Sequence, residues 1–198
     1  MNQPTDYFPN AFLVDLLKGV VLPIFVSAVT TLVFGLLNEG KRKRGTSLLG
    51  VAIIESLQEE VRNGISIMTE QLETIKRSDP NPLSHYLPSE SWQGVATIPN
   101  DVLLQLRDIS KDRRFSGFAP SEIQMHCKNY FRYMCTNYNN AVNNAREGAR
   151  KGYDWKPIML RLLDPNQGHF IESAQQVYQL LEDSKALLAK NAKARFPK

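Results

Sequence analysis

Residues 20–37 read VVLPIFVSAVTTLVFGLL, and residues 38–44 continue as NEGKRKR. The run carries no charged side chain, and Lys41, Arg42, Lys43 and Arg44 stand just beyond it. As a helix rising ~1.5 Å per residue it would be ~27 Å long, close to the hydrocarbon thickness of a bilayer. Leu16, Leu17 and Gly19 extend it to about 20 residues, the usual spanning length. The pattern predicts one transmembrane helix over residues 16–38. Lys and Arg collect on the cytoplasmic side of such helices, so the N-terminus is expected outside and the C-terminal bulk inside. The expected layout is an extracytoplasmic N-terminus over 1–15, the spanning helix over 16–38, a basic juxtamembrane linker over 39–47 and a cytosolic helical bundle over 48–198. The location implied is the bacterial inner membrane.

The run admits two other readings. A cleaved signal peptide needs a basic start and a small-residue cleavage site, but Met1–Asn10 has no Lys or Arg and NEGKRKR offers no such site. A buried core helix is the other reading, because Pro23 and several small residues dilute the apolar run. Within the run, Gly19, Pro23, Ser27, Thr31 and Gly35 recur at every fourth position. Ser27, Thr31 and Gly35 stay close enough on a helix to match the small-xxx-small pattern of close helix contact. Gly19, Ser27, Thr31 and Gly35 are therefore the expected self-association or pore face, and Lys41 to Arg44 the expected contact with anionic lipid headgroups.

The chain has 198 residues and a formal charge of +4. After position 44 there remain 19 basic and 17 acidic residues, so the cytosolic part is nearly neutral. The high pI thus comes partly from the topology signal and is weak evidence for nucleic-acid binding. About 150 residues suffice for one all-α domain with its own core. Cys127 and Cys135 lie on one expected helix in a reducing compartment, which argues against a disulfide.

Gly45, Thr46 and Ser47 read as a break and an N-cap. Ile54, Leu57, Val61, Ile65, Met68, Leu72 and Ile75 then form an apolar stripe on a helix from about Thr46 to Lys76. The stripe suits a bundle core better than a coiled coil, and Gly64 costs it about 1 kcal/mol relative to Ala. Residues 78–91, SDPNPLSHYLPSES, are a connection, after which Trp92 is expected to dock on the bundle. A short helix opens at Pro99-Asn100-Asp101, with Val102, Leu103, Leu106 and Ile109 inward. Pro120 suits the first turn of the next helix, whose inward face is Ile123, Cys127, Tyr130, Phe131, Met134, Tyr138 and Val142. That helix holds Asn129, Asn137, Asn139, Asn140, Asn143 and Asn144. Asn is a poor helix former, so something besides propensity must hold the segment, and an Asn63–Asn139 pair across helices is one device. GYDWKP at 152–157 is a turn, Ile158–Leu163 a short helical piece, and Asp164-Pro165-Asn166 a break. A last helix over about 167–194 has Phe170, Ala174, Val177, Leu181 and Leu188 inward.

Chemistry is sparse. There is no Gly-x-Gly-x-x-Gly or Walker loop, no Cys-x-x-Cys and no His-Glu-x-x-His, so no nucleotide cofactor, metal or catalytic residue is expected. His126 and Cys127 are adjacent on a helix and point about 100° apart, so they do not face one another as nucleophile and base. Basic residues with aromatics nearby, Arg113, Arg114, His126, Arg132, Arg146 and Arg150, form the candidate ligand or nucleic-acid patch, with Phe115, Tyr153 and Trp155 as stacking groups. The same residues also suit ordinary helix ends.

The carrying stretches VVLPIFVSAVTTLVFGLL-NEGKRKR, SLQEEVRNGISIM and HCKNYFRYMCTNYN resemble, in layout, single-pass bacterial membrane proteins with a cytosolic helical domain. Some of these are accessories of phage-defence systems that form pores around a HEPN-like bundle. The Arg-then-His spacing of active HEPN ribonucleases is missing: Arg77–His85 and Arg161–His169 are each separated by seven residues, and His126–Arg132 runs in the reverse order. The resemblance implies a non-enzymatic, homo-oligomeric membrane effector that senses a cytosolic protein or ligand. A membrane-tethered scaffold with a passive anchor is the alternative, and a nucleic-acid-binding bundle ranks last.

Overall fold

A computed structural model describes residues 22–88, 98–111, 114 and 117–193, with side chains from Ser27 onward. The expected 1–15 segment, Gly19, Trp92, Arg113, Phe115 and the last five residues lie outside that set. The protein is all-α: the described residues contain helices joined by turns and extended connections. The helices are α1 (Leu22–Lys76), α2 (Asn100–Ser110), α3 (Ile123–Lys128), α4 (Cys135–Arg150), α5 (Lys156–Leu163) and α6 (Phe170–Lys193). A 3-10 turn at Pro120–Glu122 leads into α3, and a π segment at Asn129–Met134 carries α3 into α4. The chain divides into two compact units, Met1–Lys43 and Arg44–Lys198.

In the first unit every described side chain from Ser27 to Glu39 is exposed, including Leu32, Phe34 and Leu36. Among the described residues no helix is long and apolar enough to cross a membrane. The apolar run itself begins at Val20, ahead of those residues. One expectation is corrected here. Gly45-Thr46-Ser47 does not interrupt the helix, because α1 continues to Lys76. Ser47 is fully buried, and its Oγ accepts from Gln105 Nε2 at 2.7 Å and from Asn191 Nδ2 at 3.0 Å. Its hydroxyl joins α1 to α2 and α6 instead of capping a helix.

The second unit is built on the stripe of α1. Ile54, Leu57, Val61 and Met68 are fully buried and Ile75 nearly so, while Ile65 and Leu72 pack half-buried against the same core. Each fully buried aliphatic side chain stabilises by about 1.5–3 kcal/mol, which outweighs the weak helix propensity of Gly64. Gly64 has a packing reason. A Cβ there would lie 1.9 Å from Tyr130 Oη. Gly50 is similar, with Leu188 and Val102 side chains 2.8 Å from where its Cβ would stand. Helix α1 ends in a Schellman turn: Asp79 N–H donates to Thr74 O at 3.2 Å and Ser78 N–H to Ile75 O at 3.0 Å, with Ser78 at φ 57°. Gly152 closes α4 the same way at φ 74°, with Tyr153 N–H on Gly148 O at 2.9 Å.

Residues Ile123, Cys127, Phe131 and Cys135 are all buried at strict four-residue spacing. Such a row drifts about 40° per step round a straight α-helix. The wider π turn at Asn129–Met134 takes up that drift and keeps the row on the core. Burial pushes the Cys127 and Cys135 thiols up to about 12, so neither is a thiolate near neutrality. Helix α6 packs beside α2, α3 and α5, and contributes Ala174, Val177, Leu180, Leu181 and Leu188 to the core.

Candidate functional site

Of the expected contact face, Ser27, Thr31 and Gly35 are described and exposed. Thr31 Oγ1 donates back to Ser27 O at 2.9 Å, so the hydroxyl is satisfied within the helix. A Cβ at Gly35 would meet nothing within 4 Å, leaving its surface open to a close neighbour. The basic cluster is exposed too. Lys43 Nζ lies 2.7 Å from the Glu39 carboxylate, whose pKa is lowered by that hydrogen bond and by the lysine charge. Lys41, Arg42 and Arg44 are exposed beside them.

The basic-aromatic residues do not form one patch. Among those described, no hydrogen bond, ion pair or ring contact joins any two of Arg114, His126, Arg132, Arg146 and Arg150. Arg114 and Arg150 are exposed. His126 packs on Phe118 with ring centroids 3.8 Å apart, and its Nε2 is buried without a hydrogen-bond partner. Burial lowers its pKa, and Glu122, at 3.9 Å, opposes that shift. Arg132 lies 5.8 Å from the Tyr133 ring centroid, in cation–π range. Trp155 is corrected as a stacking group. It is 2 % exposed, and its Nε1 donates to Pro80 O at 2.9 Å.

Arg146 and three other side chains have a structural task that the sequence pattern did not reveal. The extended segment after α1, residues 80–88, runs as a strap secured mainly by α4. Asn139 pairs with both backbone groups of buried Leu87: Leu87 N–H donates to Oδ1 and Nδ2 donates to Leu87 O, each at 2.7 Å. Tyr86 Oη donates to Asn143 Oδ1 at 2.7 Å and accepts from Arg146 Nη1 at 2.7 Å. The Trp155 indole holds the start of the strap. The expected Asn63–Asn139 pair is therefore replaced: Asn63 is exposed, and Asn139 clasps backbone. An amide suits that partner because it offers one donor and one acceptor, as a backbone peptide does. The sequence signal for this was the Asn content of a helix, which left the identity of the partner open.

A second polar set links α1 to α6. Gln58 Nε2 donates to the Glu182 carboxylate, Lys185 Nζ donates to Gln58 Oε1 at 2.9 Å, and Arg62 Nη2 donates to Tyr178 Oη at 3.1 Å. Hydrogen bonds from Gln58 and Lys185 lower the Glu182 pKa. These groups fix the register of the two helices. Among the described residues, no group of three or more His, Cys, Asp or Glu side chains is placed to hold a metal ion. Comparison of the chain with family models, with curated proteins and with solved structures found no match.

Proposed function

We propose that the chain is a membrane-anchored, non-enzymatic effector or accessory protein, whose helical bundle senses a partner or ligand and whose N-terminal helix acts on the bilayer as an oligomer. The observation that carries this reading is the uniform exposure of apolar side chains over Ser27–Leu37, next to four consecutive cations. A water-exposed helix normally shows one polar face. Here Val29, Leu32, Val33, Phe34, Leu36 and Leu37 are 44 to 64 % exposed and cover about 200° of the helix circumference, with the uncharged Ser27, Thr31 and Gly35 on the remaining strip. Hydrocarbon is the surrounding that such a surface fits, and the basic cluster fits the headgroup level at its cytosolic end. The open backbone at Gly35, with Thr31 and Ser27 one and two turns before it, supports self-association along that row. Permeabilisation of the bacterial inner membrane in phage defence is the use that the layout favours.

Two measurements test this reading. The protein should float with anionic vesicles and need detergent for extraction; a polypeptide that remains in the aqueous phase refutes the anchor. Replacing Ser27, Thr31 and Gly35 together by Leu should abolish cross-linked oligomers and vesicle leakage while the chain still floats. Unchanged oligomers would assign the helix a passive role, with the bundle as a tethered scaffold.

A further inference from the structure

The solvent face of the α3–π–α4 rod has a composition unlike the rest of the molecule. From Ile123 to Arg146 there is no Asp or Glu, although the chain has 20 acidic residues. Its exposed positions include Lys128, Arg132, Tyr133, Asn137, Asn140 and Asn144. Apart from the adjacent pair Arg132 and Tyr133 they follow one another at three- or four-residue steps opposite the buried row, and with the wider π turn between them they share one side of the rod. Tyr133 is 58 % exposed and its ring lies beside the Arg132 guanidinium. Lys128, Asn137, Asn140 and Asn144 make no side-chain hydrogen bond or ion pair among the described residues. This differs from the neighbouring Asn139 and Asn143, which are engaged by the strap.

We propose that this face binds single-stranded nucleic acid. Between Glu122 and Glu147 the rod contributes no carboxylate, so Lys128 and Arg132 give its own solvent face a positive charge, which suits a polyanion. Two cations set for phosphates, an exposed aromatic ring and a row of amides are the three kinds of group that single strands engage. The amides decide between polyanions. Base edges present donors and acceptors together, which an Asn side chain matches bidentately, and base faces stack on an exposed ring such as Tyr133, a contact that an acidic peptide or a lipid headgroup lacks. A duplex is disfavoured because its stacked bases leave no face free for Tyr133. The inference names the ligand of the sensing domain in the reading above. Its test uses residues remote in sequence from the anchor, so either reading can fail alone.

The experiment uses the full chain in non-ionic detergent with fluorescent oligo(A) and oligo(U) of about 15 nucleotides, a matched duplex, polyglutamate and anionic vesicles. The single strands should bind, more weakly as salt rises from about 50 to 200 mM. Lys128→Glu with Arg132→Glu should weaken binding at least about tenfold and flatten the log–log salt slope by about 1.4, the value for two phosphate contacts on a single strand. Tyr133→Ala should weaken binding about fivefold or more through lost stacking. Charge reversal that unfolds the bundle is replaced by Lys128→Gln with Arg132→Gln, which reads the same slope. No binding of either strand overturns the proposal. So does binding that these substitutions leave unchanged but that neutralising Lys41 to Arg44 removes. Capture of polyglutamate or vesicles through Lys128 and Arg132, with the oligonucleotides excluded, overturns it in favour of a protein or membrane partner.

Discussion

One helix, α1, contains two apolar stretches that meet opposite surroundings. From Ser27 to Leu37 apolar residues cover more than half of the helix surface with no charged residue among them, and all of them are exposed. From Ile54 to Ile75 apolar residues return every three or four positions, and all seven are buried or packed half-buried against the core. The second pattern has found its partners within the chain; the first has none among the described residues of its own unit. Hydrophobic content alone does not bury a helix. The period decides whether a folded chain can cover it.

The two stretches should respond to different measurements. Leu57→Ala should lower the stability of the bundle by about 3 kcal/mol, within the range for a fully buried leucine, read by chemical denaturation in detergent. Val33→Arg should leave that denaturation midpoint in place. It should instead abolish vesicle flotation, at a cost of about 3 kcal/mol for a cation in the hydrocarbon. If both substitutions shift the same observable, the two stretches are not the different environments described.

At Gly64 packing and helix propensity oppose each other. Helix propensity alone predicts that Ala is better there by about 1 kcal/mol. The Tyr130 hydroxyl reverses the sign, and Gly64→Ala should destabilise by about 2 kcal/mol through overpacking. Tyr130→Phe should restore most of the loss in the double variant, since the nearest remaining ring atom, Cζ, lies 3.3 Å from the new Cβ. Asn139→Ala should cost a similar amount, about 2 kcal/mol, by leaving two backbone groups of buried Leu87 unpaired. Asn140→Ala, one position on and exposed, should cost under about 0.5 kcal/mol.

The smallest effect concerns pH. Burial holds the His126 pKa below its ordinary value, so the folded chain resists protonation while the unfolded chain protonates normally. The unfolded state then binds more protons as pH drops below about 6.5, and stability declines in that window. His126→Gln should flatten the denaturation midpoint between about pH 6.5 and 5, above the range where carboxylates titrate. An unchanged slope would assign the decline to other groups.

Much of the helical plan was legible in the sequence. The ends of α1 at Lys76 and of α5 at Leu163, and the inward residues of α2 and α4, followed from period, proline and asparagine signals. The start of α1 was misread. Gly45-Thr46-Ser47 carries a capping signature, but the burial of Ser47 among three helices diverts its hydroxyl. The strap was invisible because it is a contact between an irregular segment and a helix 52 residues further on, for which no periodicity exists. The candidate basic patch was read by residue type alone. Three-dimensional placement separates its members and engages Arg146 with Tyr86. The acid-free row from Ile123 to Arg146 was present in the letters, but its shared side became visible only with the π turn in place.

The clasp at Asn139 has a chemical lifetime as well as a strength. Hydrolysis of its amide to a carboxylate would replace the donor facing Leu87 O by a second acceptor, so the same atoms would then repel. Slow ageing of one side chain would loosen the strap from α4, and a protein left long at warm temperature should acquire protease-sensitive bonds near Tyr86 before its helices melt.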